Sequence, residues 1–302
     1  MSFIKRDNGD DDDDDDDQGE QQQQMQSMNQ HLIASKTGTI LRTNKLIQVS
    51  SPNSPYTPHT GDPIVGRVSS ISSQKWTVSL NLLSNSTTVN ASLPLTGINM
   101  PDGMQRIRTN ADALTMRTVL SEGDLISAEV REVKSGGSGI GMGNVVLHAR
   151  SVRCGKLENG CFVMVPSWLI GRMKKQFVVL GVGKVGFDDV KVEVLLGCNG
   201  GVWIQLAMME LESSSSGSEG MVQEEVQRIR SVHARKEMTL EERVVVARVR
   251  NAIEALKMVY CRVTPENIEA VVGASAEMGY DVADMLRQDA IAKITGCTRI
   301  KK

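Results

Sequence analysis

Three stretches in the first half of the chain alternate apolar and polar residues with a period of two. They are residues 76–80 (WTVSL), 126–130 (ISAEV) and 145–150 (VVLHAR). This period places every second side chain on one buried face of a strand, so Trp76 is expected in a core. Turns rich in glycine and proline separate the strands, and SGGSGIGMG at 135–143 has the composition of a hairpin tip. The pattern predicts a small β-barrel.

After Arg150 the pattern changes to that of a compact α+β unit. Residues 162–165 and 190–194 are apolar enough for buried strands, and Pro166-Ser167 is expected to open a helix with a basic end. Beyond SSSSGSEG at 213–220, which has the composition of a flexible linker, the apolar period becomes helical.

Three helices are predicted in the last third of the chain. Thr239 and Glu242 form a capping box ahead of the first, Thr264-Pro265 opens the second, and Asp281 is expected to cap the third. The first helix is expected to bury one stripe, made of Val246, Val249, Ile253, Leu256 and Tyr260.

Composition separates an N-terminal tail from the rest of the chain. Asp10 to Asp17 is an unbroken run of eight aspartates, and a glutamine-rich stretch follows it. So little apolar surface cannot offset the entropy of ordering, so we expect residues 1–31 to be a disordered tail that solvates the protein or tethers a basic partner. The formal net charge of -2 depends on this run. Without the run, basic residues outnumber acidic ones, which allows a polyanionic partner.

The remaining composition argues against several classes of protein. No apolar stretch has the length of a signal peptide or a membrane span, so an intracellular protein is expected. Five scattered cysteines without a Cys-x-x-Cys pair indicate reduced thiols, not disulfides or a zinc site. Asp102, Asp112 and Asp124 lie near turns or helix starts, where aspartate caps the backbone more often than it binds a metal. No catalytic constellation is recognisable, so neither an enzyme nor a cofactor is expected.

The segment LLGCNGGVWI at 195–204 places a glycine turn between two apolar runs. Gly197, Asn199 and Gly200 suit a structural turn that presents Trp203 to the domain core or to a neighbouring subunit. The letters also match the Gly-x-x-Gly loop with which KH domains clamp nucleotides, but here the loop lies between predicted strands. RNA contact at this turn is the alternative.

A small barrel followed by an α+β unit is a recurring RNA-binding arrangement, because OB-type barrels and KH domains both offer a basic groove to single strands. Several segments resemble, in order and spacing, the RNA-binding cap subunit of the eukaryotic exosome, the ribosomal RNA-processing protein 4 family. They are TGTILRTNKLIQV (37–49), GDPIVGRV (61–68), QKWTVSLN (74–81), INMPDGMQRIRTNADALTMRTVLSEGDLISAEVREV (98–133) and CGKLENGCFVMVPSWLIGRMK (154–174). The glycine turn falls where that family carries Gly-x-Asn-Gly before an aromatic strand. The resemblance covers about residues 32 to 260.

The resemblance implies a fold that is mainly β plus α+β. Its expected parts are a disordered acidic and Gln-rich tail (1–31), a ring-docking hairpin region (32–58), an OB-type RNA-binding barrel (59–150) and a KH-like domain with C-terminal helices (151–302). It implies a non-catalytic subunit that sits on a ring of RNase-PH-like proteins beside other cap subunits. There it would bind single-stranded RNA and guide it into the ring channel for 3′-to-5′ processing and degradation, including rRNA maturation. No membrane or small-molecule partner is implied, and the expected locations are nucleus, nucleolus and cytoplasm.

RNA contact is expected first from Arg106, Arg108 and Arg117, which flank the loop corresponding to the family's basic loop at the channel entrance. Guanidinium groups bind phosphates through paired hydrogen bonds. The alternative is that these are surface arginines paired with Asp112 or Glu122.

Further candidates lie elsewhere on the chain. Lys75, His148 and Arg150 occupy strand ends or outward positions of the predicted barrel. A second basic cluster is formed by Arg172, Lys174 and Lys175, and it suits a grip on the ring as well as it suits RNA.

Two other classes of protein compete with the cap subunit. A processive nuclease can carry the same barrel and KH pair, but it needs a catalytic domain for which these residues leave no room. A free-standing RNA-binding or translation-type factor would have no use for the 37–49 segment, which is suited to bracing the subunit against a ring.

Overall fold

The computed structural model describes residues 3–4, 33–34, 37–51, 55–81, 89–99, 109–134, 145–151, 153–181, 190–208 and 223–297. The chain separates into two compact units, Met1–Ser54 and Pro55–Lys302. Within the described part, no helix combines the length and the apolarity needed to cross a membrane.

The first unit contains two antiparallel strand pairs. Strand β1 (Phe3–Ile4) pairs with β2 (Ile33–Ala34), and β3 (Thr39–Thr43) pairs with β4 (Leu46–Ser50). Asn44 has a φ of 57° at the β3–β4 turn, a left-handed conformation that asparagine tolerates. The large apolar side chains of this hairpin are exposed: Ile40, Leu41, Leu46 and Ile47. Apart from β1, the tail expected to be disordered lies outside the described residues.

The second unit begins with a closed five-stranded barrel. Its strands are β5 (Pro63–Ile71), β6 (Lys75–Ser79), β7 (Asn90–Pro94), β8 (Leu125–Val133) and β9 (Val145–His148). Closure follows because β8 pairs antiparallel with both β5 and β9, while β9 also pairs in parallel with β7. The short β10 (Gly155–Lys156) pairs antiparallel with β8. The prediction of a small barrel is confirmed.

The apolar side chains of the alternating stretches fill the interior of the barrel. Trp76, Val78, Ile126, Ala128 and Leu147 are all fully buried in one apolar cluster. The Trp76 indole donates a hydrogen bond to the Leu120 carbonyl at 3.3 Å. Trp76 is therefore a core residue, as its place in the alternation predicts.

Two short helices, α1 (Asn110–Leu114) and α2 (Met116–Val119), connect β7 to β8. Thr109 and Asp112 form a capping box at the start of α1, and the Asp112 side chain is buried. Asp124 accepts a hydrogen bond from the Ser121 backbone at 2.8 Å. Both aspartates thus cap the backbone as expected, while Asp102 lies outside the described residues.

A four-stranded antiparallel sheet follows, in the order β11-β14-β13-β12. Its strands are β11 (Gly160–Met164), β12 (Phe177–Gly181), β13 (Lys191–Leu196) and β14 (Gly201–Leu206). One face, with Val192, Val194 and Ile204, belongs to the helical core. The other face places Leu195 and Trp203 against Val65 of the barrel.

Four longer helices follow in the described residues. They are α3 (Gln223–Arg235), α4 (Leu240–Met258), α5 (Pro265–Glu277) and α6 (Gln288–Cys297). The predicted capping box of α4 is present, since the Thr239 and Glu242 side chains bond each other's backbone. Thr264 likewise accepts a hydrogen bond from the Asn267 backbone at the start of α5, which has Pro265 in its first turn.

Three local predictions were wrong. Pro166-Ser167 opens only a 3-10 turn (Ser167–Leu169), because the Leu169 carbonyl accepts a hydrogen bond from Val263 and the chain then runs extended into β12. Asp281 precedes a set of turns, and the last helix begins at Gln288. Tyr260 lies beyond the end of α4 with a φ of 55° and is 73% exposed.

Candidate nucleic-acid interface

The first-choice arginines are only partly within the described residues. Arg106 and Arg108 lie outside them. Arg117, on α2, forms an ion pair with Glu122 at 3.3 Å, and both side chains are largely exposed. This is the alternative pairing that the sequence allowed. An exposed ion pair is worth less than about 1 kcal/mol, so phosphate can compete for the guanidinium.

The other barrel candidates differ in whether their side chains already contact groups of the protein. Lys75 begins β6 and is exposed. The His148 ring lies 3.2 Å from the Glu129 carbonyl and 3.9 Å from the Glu129 carboxylate. Arg150 folds back onto the Thr96 carbonyl, to which its Nε donates at 3.0 Å. Lys75 is thus the best placed of these three to meet a phosphate.

Arg172 lies at the junction of barrel and sheet. Its guanidinium donates to the buried Asp62 carboxylate at 3.0 Å, and the same oxygen accepts from the Tyr56 hydroxyl and the His59 backbone. Burial and the Asp62 charge both raise the pKa of Tyr56, so this hydroxyl stays protonated. The arrangement ties Arg172 to the base of β5.

Lys174 and Lys175 lie next to Arg172 in sequence but in a different setting. Both are exposed, in the irregular segment before β12. They line a groove of about 720 Å³, which we call the β12 groove. Its lining consists of residues 173–179 and Arg153, together with Gly61, Pro63 and Glu129 of the barrel.

The glycine turn joins the sheet to the barrel. The buried Asn199 side chain accepts from the Val65 backbone N–H at 3.2 Å and donates to the carbonyls of Val65 at 2.7 Å and Leu80 at 2.8 Å. These Val65 groups lie beyond the last β5–β6 pair, Arg67 with Ser79, so Asn199 takes the place of a missing strand residue.

Close packing explains the glycines of this turn. Gly200 has a φ of 92°, and a Cβ there would collide with the Val165 carbonyl. A Cβ on Gly197 would lie 2.7 Å from the Gly201 carbonyl oxygen. Trp203 is buried in the contact between sheet and barrel. These contacts give the turn a structural role between sheet and barrel.

A buried polar network beneath α3 had no signal in the sequence. Trp203 donates to Gln205 at 2.9 Å, Gln205 donates to Glu193 at 2.9 Å, and Arg153 donates to Glu193 at 3.3 Å. The Arg153 guanidinium also lies 5.7 Å from the centre of the Phe177 ring. Period-two alternation marked Glu193 only as a polar strand residue, because its partners come from segments distant in sequence.

His233 of α3 lies beside this network. The ring and the network residues Arg153, Glu193, Trp203 and Gln205 line one small cavity of about 40 Å³. The His233 Nε2 is buried without a hydrogen-bond partner. The pKa of His233 is lowered overall, because burial lowers it by more than a backbone hydrogen bond with Leu206 raises it. The ring is therefore neutral at pH 7.

The titratable groups of the described residues show no arrangement suited to metal or nucleophilic chemistry. Among those residues, no three His, Cys, Asp or Glu side chains are placed to hold a metal ion. Burial raises the pKa of Cys154 to about 12 and that of Cys198 to about 11, with Glu129 and Asp62 adding to the respective effects. Both thiols are thus unreactive at neutral pH.

The structure consists of two modules: a closed barrel, and a four-stranded sheet with helices on one face. A buried turn joins the two modules, and exposed cations lie on both. This combination defines a class of two-module proteins. Residues 55–132 match the family model of the RRP4 S1 domain. The chain is 32% identical over 255 residues to an exosome complex component RRP4 homolog of Arabidopsis thaliana, covering 84% of this chain and 73% of the relative. It is 31% identical over 270 residues to the exosome complex component RRP4 of Bos taurus, covering 89% and 80% respectively. Over 173 residues it is 38% identical to the rrp4 component of Schizosaccharomyces pombe, covering 57% and 47%. The chain belongs to the exosome component RRP4 family.

Proposed function

We propose that the protein is an RNA-binding, non-catalytic cap subunit of the RNA exosome, which guides single-stranded RNA into the ring channel for 3′-to-5′ processing and degradation. The observation that carries this proposal is the similarity to exosome components along most of the chain, through barrel and sheet alike. rRNA maturation and general RNA turnover are the processes in which it would act. Nucleus, nucleolus and cytoplasm are the proposed locations.

Docking on the ring is assigned to residues 32–58. The exposed Ile40, Leu41, Leu46 and Ile47 support this assignment. An isolated hairpin is at best marginally stable in water, and a cluster of exposed apolar side chains commonly marks an interaction site. A ring of RNase-PH-like subunits, together with other cap subunits, would supply the covering surface.

RNA contact is assigned to the barrel (59–150), with the loop arginines Arg106, Arg108 and Arg117 and with Lys75. The exposure of Lys75 and the weak pairing of Arg117 support this assignment. His148, Arg150 and Arg172 already serve barrel contacts, so we place them behind these four. In the KH-like part (151–302), Lys174 and Lys175 suit a grip on a protein partner such as the ring as well as they suit RNA.

A non-catalytic role is supported by the way polar groups are used. Asp62, Asp112 and Glu193 are buried and bonded to other groups of the protein. Such carboxylates position the backbone and side chains instead of activating water. Catalysis would then belong to other subunits of the assembly.

The proposal is tested by purifying the tagged protein from its own cells in moderate salt and identifying by mass everything that elutes with it at large size. Recovery of RNase-PH-like ring subunits and other cap proteins is the expected result. Recovery of a lone monomer or of ribosomes would overturn it in favour of a free-standing RNA-binding or translation-type factor.

A further inference from the structure

One edge of the four-stranded sheet carries backbone groups that the described residues do not use. The Leu196 N–H donates to the Gln176 carbonyl at 3.0 Å, which fixes the residues of β12 that face β13. Because bonding alternates along an antiparallel strand, Val178 and Leu180 face β13, while Phe177 and Val179 point their N–H and C=O groups outward. No described residue pairs with this outer edge, since β12 is the last strand of the sheet.

The first residues of β12 also line the β12 groove. Residues 176–179 form one wall, so the free donors and acceptors of Phe177 and Val179 belong to the strand that borders the 720 Å³ space. Gly61, Pro63 and Glu129 of the barrel also line the groove, and of these three only Glu129 has a long side chain. The groove thus has room along a strand edge whose backbone groups alternate between donor and acceptor.

The charge around the groove is mostly positive. Lys174 and Lys175 line the groove, are exposed, and have no ion-pair partner among the described residues. Arg153 lies in the wall, where it holds Glu193 at 3.3 Å. Glu129 is the acidic residue of the barrel wall, and His148 lies 3.9 Å from its carboxylate. An occupant rich in carboxylates would be attracted to the end of the groove at Lys174 and Lys175.

We propose that the outer edge of β12 binds an extended acidic peptide segment of a partner protein, which adds to the sheet as a fifth strand. Main-chain hydrogen bonds to Phe177 and Val179 would supply affinity, and carboxylates facing Lys174 and Lys175 would supply selectivity. The alternating donors and acceptors of this edge favour a peptide over RNA, because an extended peptide repeats N–H and C=O groups at the spacing of a neighbouring strand, whereas RNA phosphates supply acceptors alone. This binding goes beyond the proposed function and can be measured on the purified chain alone.

The test uses the full chain and a fluorescein-labelled synthetic peptide in which glutamate alternates with valine. Fluorescence anisotropy gives the affinity, and amide hydrogen exchange followed by NMR reports the amides of Phe177 and Val179. We expect saturable binding with slowed exchange at these two amides. A lysine-for-glutamate peptide, and one N-methylated at consecutive central nitrogens, should bind at least about tenfold more weakly.

Two variants of the protein separate charge from strand pairing. The double change K174E/K175E reverses the charge at the groove, and Val179→Pro removes an outward N–H that the sheet does not use. Each should weaken peptide binding about tenfold or more. The matched control R262E/K293E reverses two exposed charges on the helical layer and should bind like the wild type. Thermal unfolding confirms that each variant folds. If Val179→Pro does not fold, K174E/K175E and its control R262E/K293E still test the proposal.

Three results would overturn the proposal. The first is absence of binding by the glutamate-valine peptide, and the second is binding that K174E/K175E leaves unchanged. The third is binding without protection of the Phe177 and Val179 amides. Loss of oligouridylate affinity in K174E/K175E, with no peptide binding to the wild type, would assign the groove to RNA and would equally reject the peptide.

Discussion

At the scale of single residues, one asparagine carries the junction between barrel and sheet. Asn199 is 3% exposed and makes three hydrogen bonds to the backbone of Val65 and Leu80. The sequence identified this turn because its glycines tolerate positive φ. It could not identify the partners, since Val65 is 134 positions away and no spacing rule connects residues at that distance.

Replacing Asn199 with alanine should lower the free energy of unfolding by about 2–4 kcal/mol, because it leaves buried backbone groups of the barrel without partners. Urea unfolding measures the decrease. Asn251→Ala removes one bond to a backbone carbonyl, that of Val282, and one accepted from the Arg250 side chain, and serves as a milder control. Loss of RNA affinity in Asn199→Ala with normal stability and assembly would show that the turn contacts RNA instead.

His233 should make stability depend on pH. Because burial lowers its folded pKa below the ordinary value of 6.5, the unfolded chain binds the proton more tightly. The stabilisation from the neutral ring is therefore complete above pH 6.5 and is lost as the pH falls below it.

We expect the difference in unfolding free energy between pH 7.5 and pH 5.5 to be smaller in His233→Gln than in the wild type. Urea unfolding at both pH values gives this double difference, in which the carboxylates common to both proteins cancel. An equal pH dependence in the two proteins would mean that His233 titrates normally in the folded state.

At the scale of elements, the β3–β4 hairpin differs from all strands of the second unit in its burial. Every residue of β3 is exposed, whereas β13 and β14 are almost wholly buried. A strand pair with apolar side chains and no core of its own is expected to depend on a partner surface.

Deleting residues 32–58 should therefore release the protein from its complex and leave a folded barrel. Gel filtration of cell extracts, combined with the tryptophan fluorescence of the purified variant, measures both effects. Continued elution at large size would show that other surfaces suffice for docking. Unfolding of the barrel would show that the segment has a structural role as well.

The sequence predicted most elements whose local signals were strong. Period-two alternation identified β6, β8 and β9, and the Thr239–Glu242 box identified the start of α4. It failed at residues 166–175, where tertiary pairing with Val263 overrides a helix-opening Pro-Ser, and it did not predict α3. The β12 groove was also beyond prediction, because an open strand edge is defined by which strands are neighbours and not by the residues of one strand.

At the scale of the whole molecule, the described cations are dispersed. Lys75 and Arg117 lie on the barrel, and Lys174 and Lys175 lie at the β12 groove. Several cations already hold carboxylates or carbonyls, as Arg150, Arg153 and Arg172 do. Binding of RNA to such a surface is the sum of modest phosphate interactions and should depend on salt.

The double variant K75A/R117A should weaken oligouridylate binding and reduce the magnitude of the salt slope by about 0.7 for each phosphate that the variant no longer neutralises. Titrations at several salt concentrations give the slope, and R262A/K293A is the charge-matched control on the helical layer. An unchanged slope in K75A/R117A would remove these two residues from the RNA path.

The Asn199 junction also has a consequence for the order in which the chain is made. Val65 and Leu80 leave the ribosome more than a hundred residues before Asn199 does, since the separations are 134 and 119 positions. In a nascent barrel, the Val65 N–H and C=O groups of β5 therefore bond to water until the glycine turn has been synthesised. Translation that pauses between these points would hold the chain in its least protected form, and chaperones or proteases would meet it there.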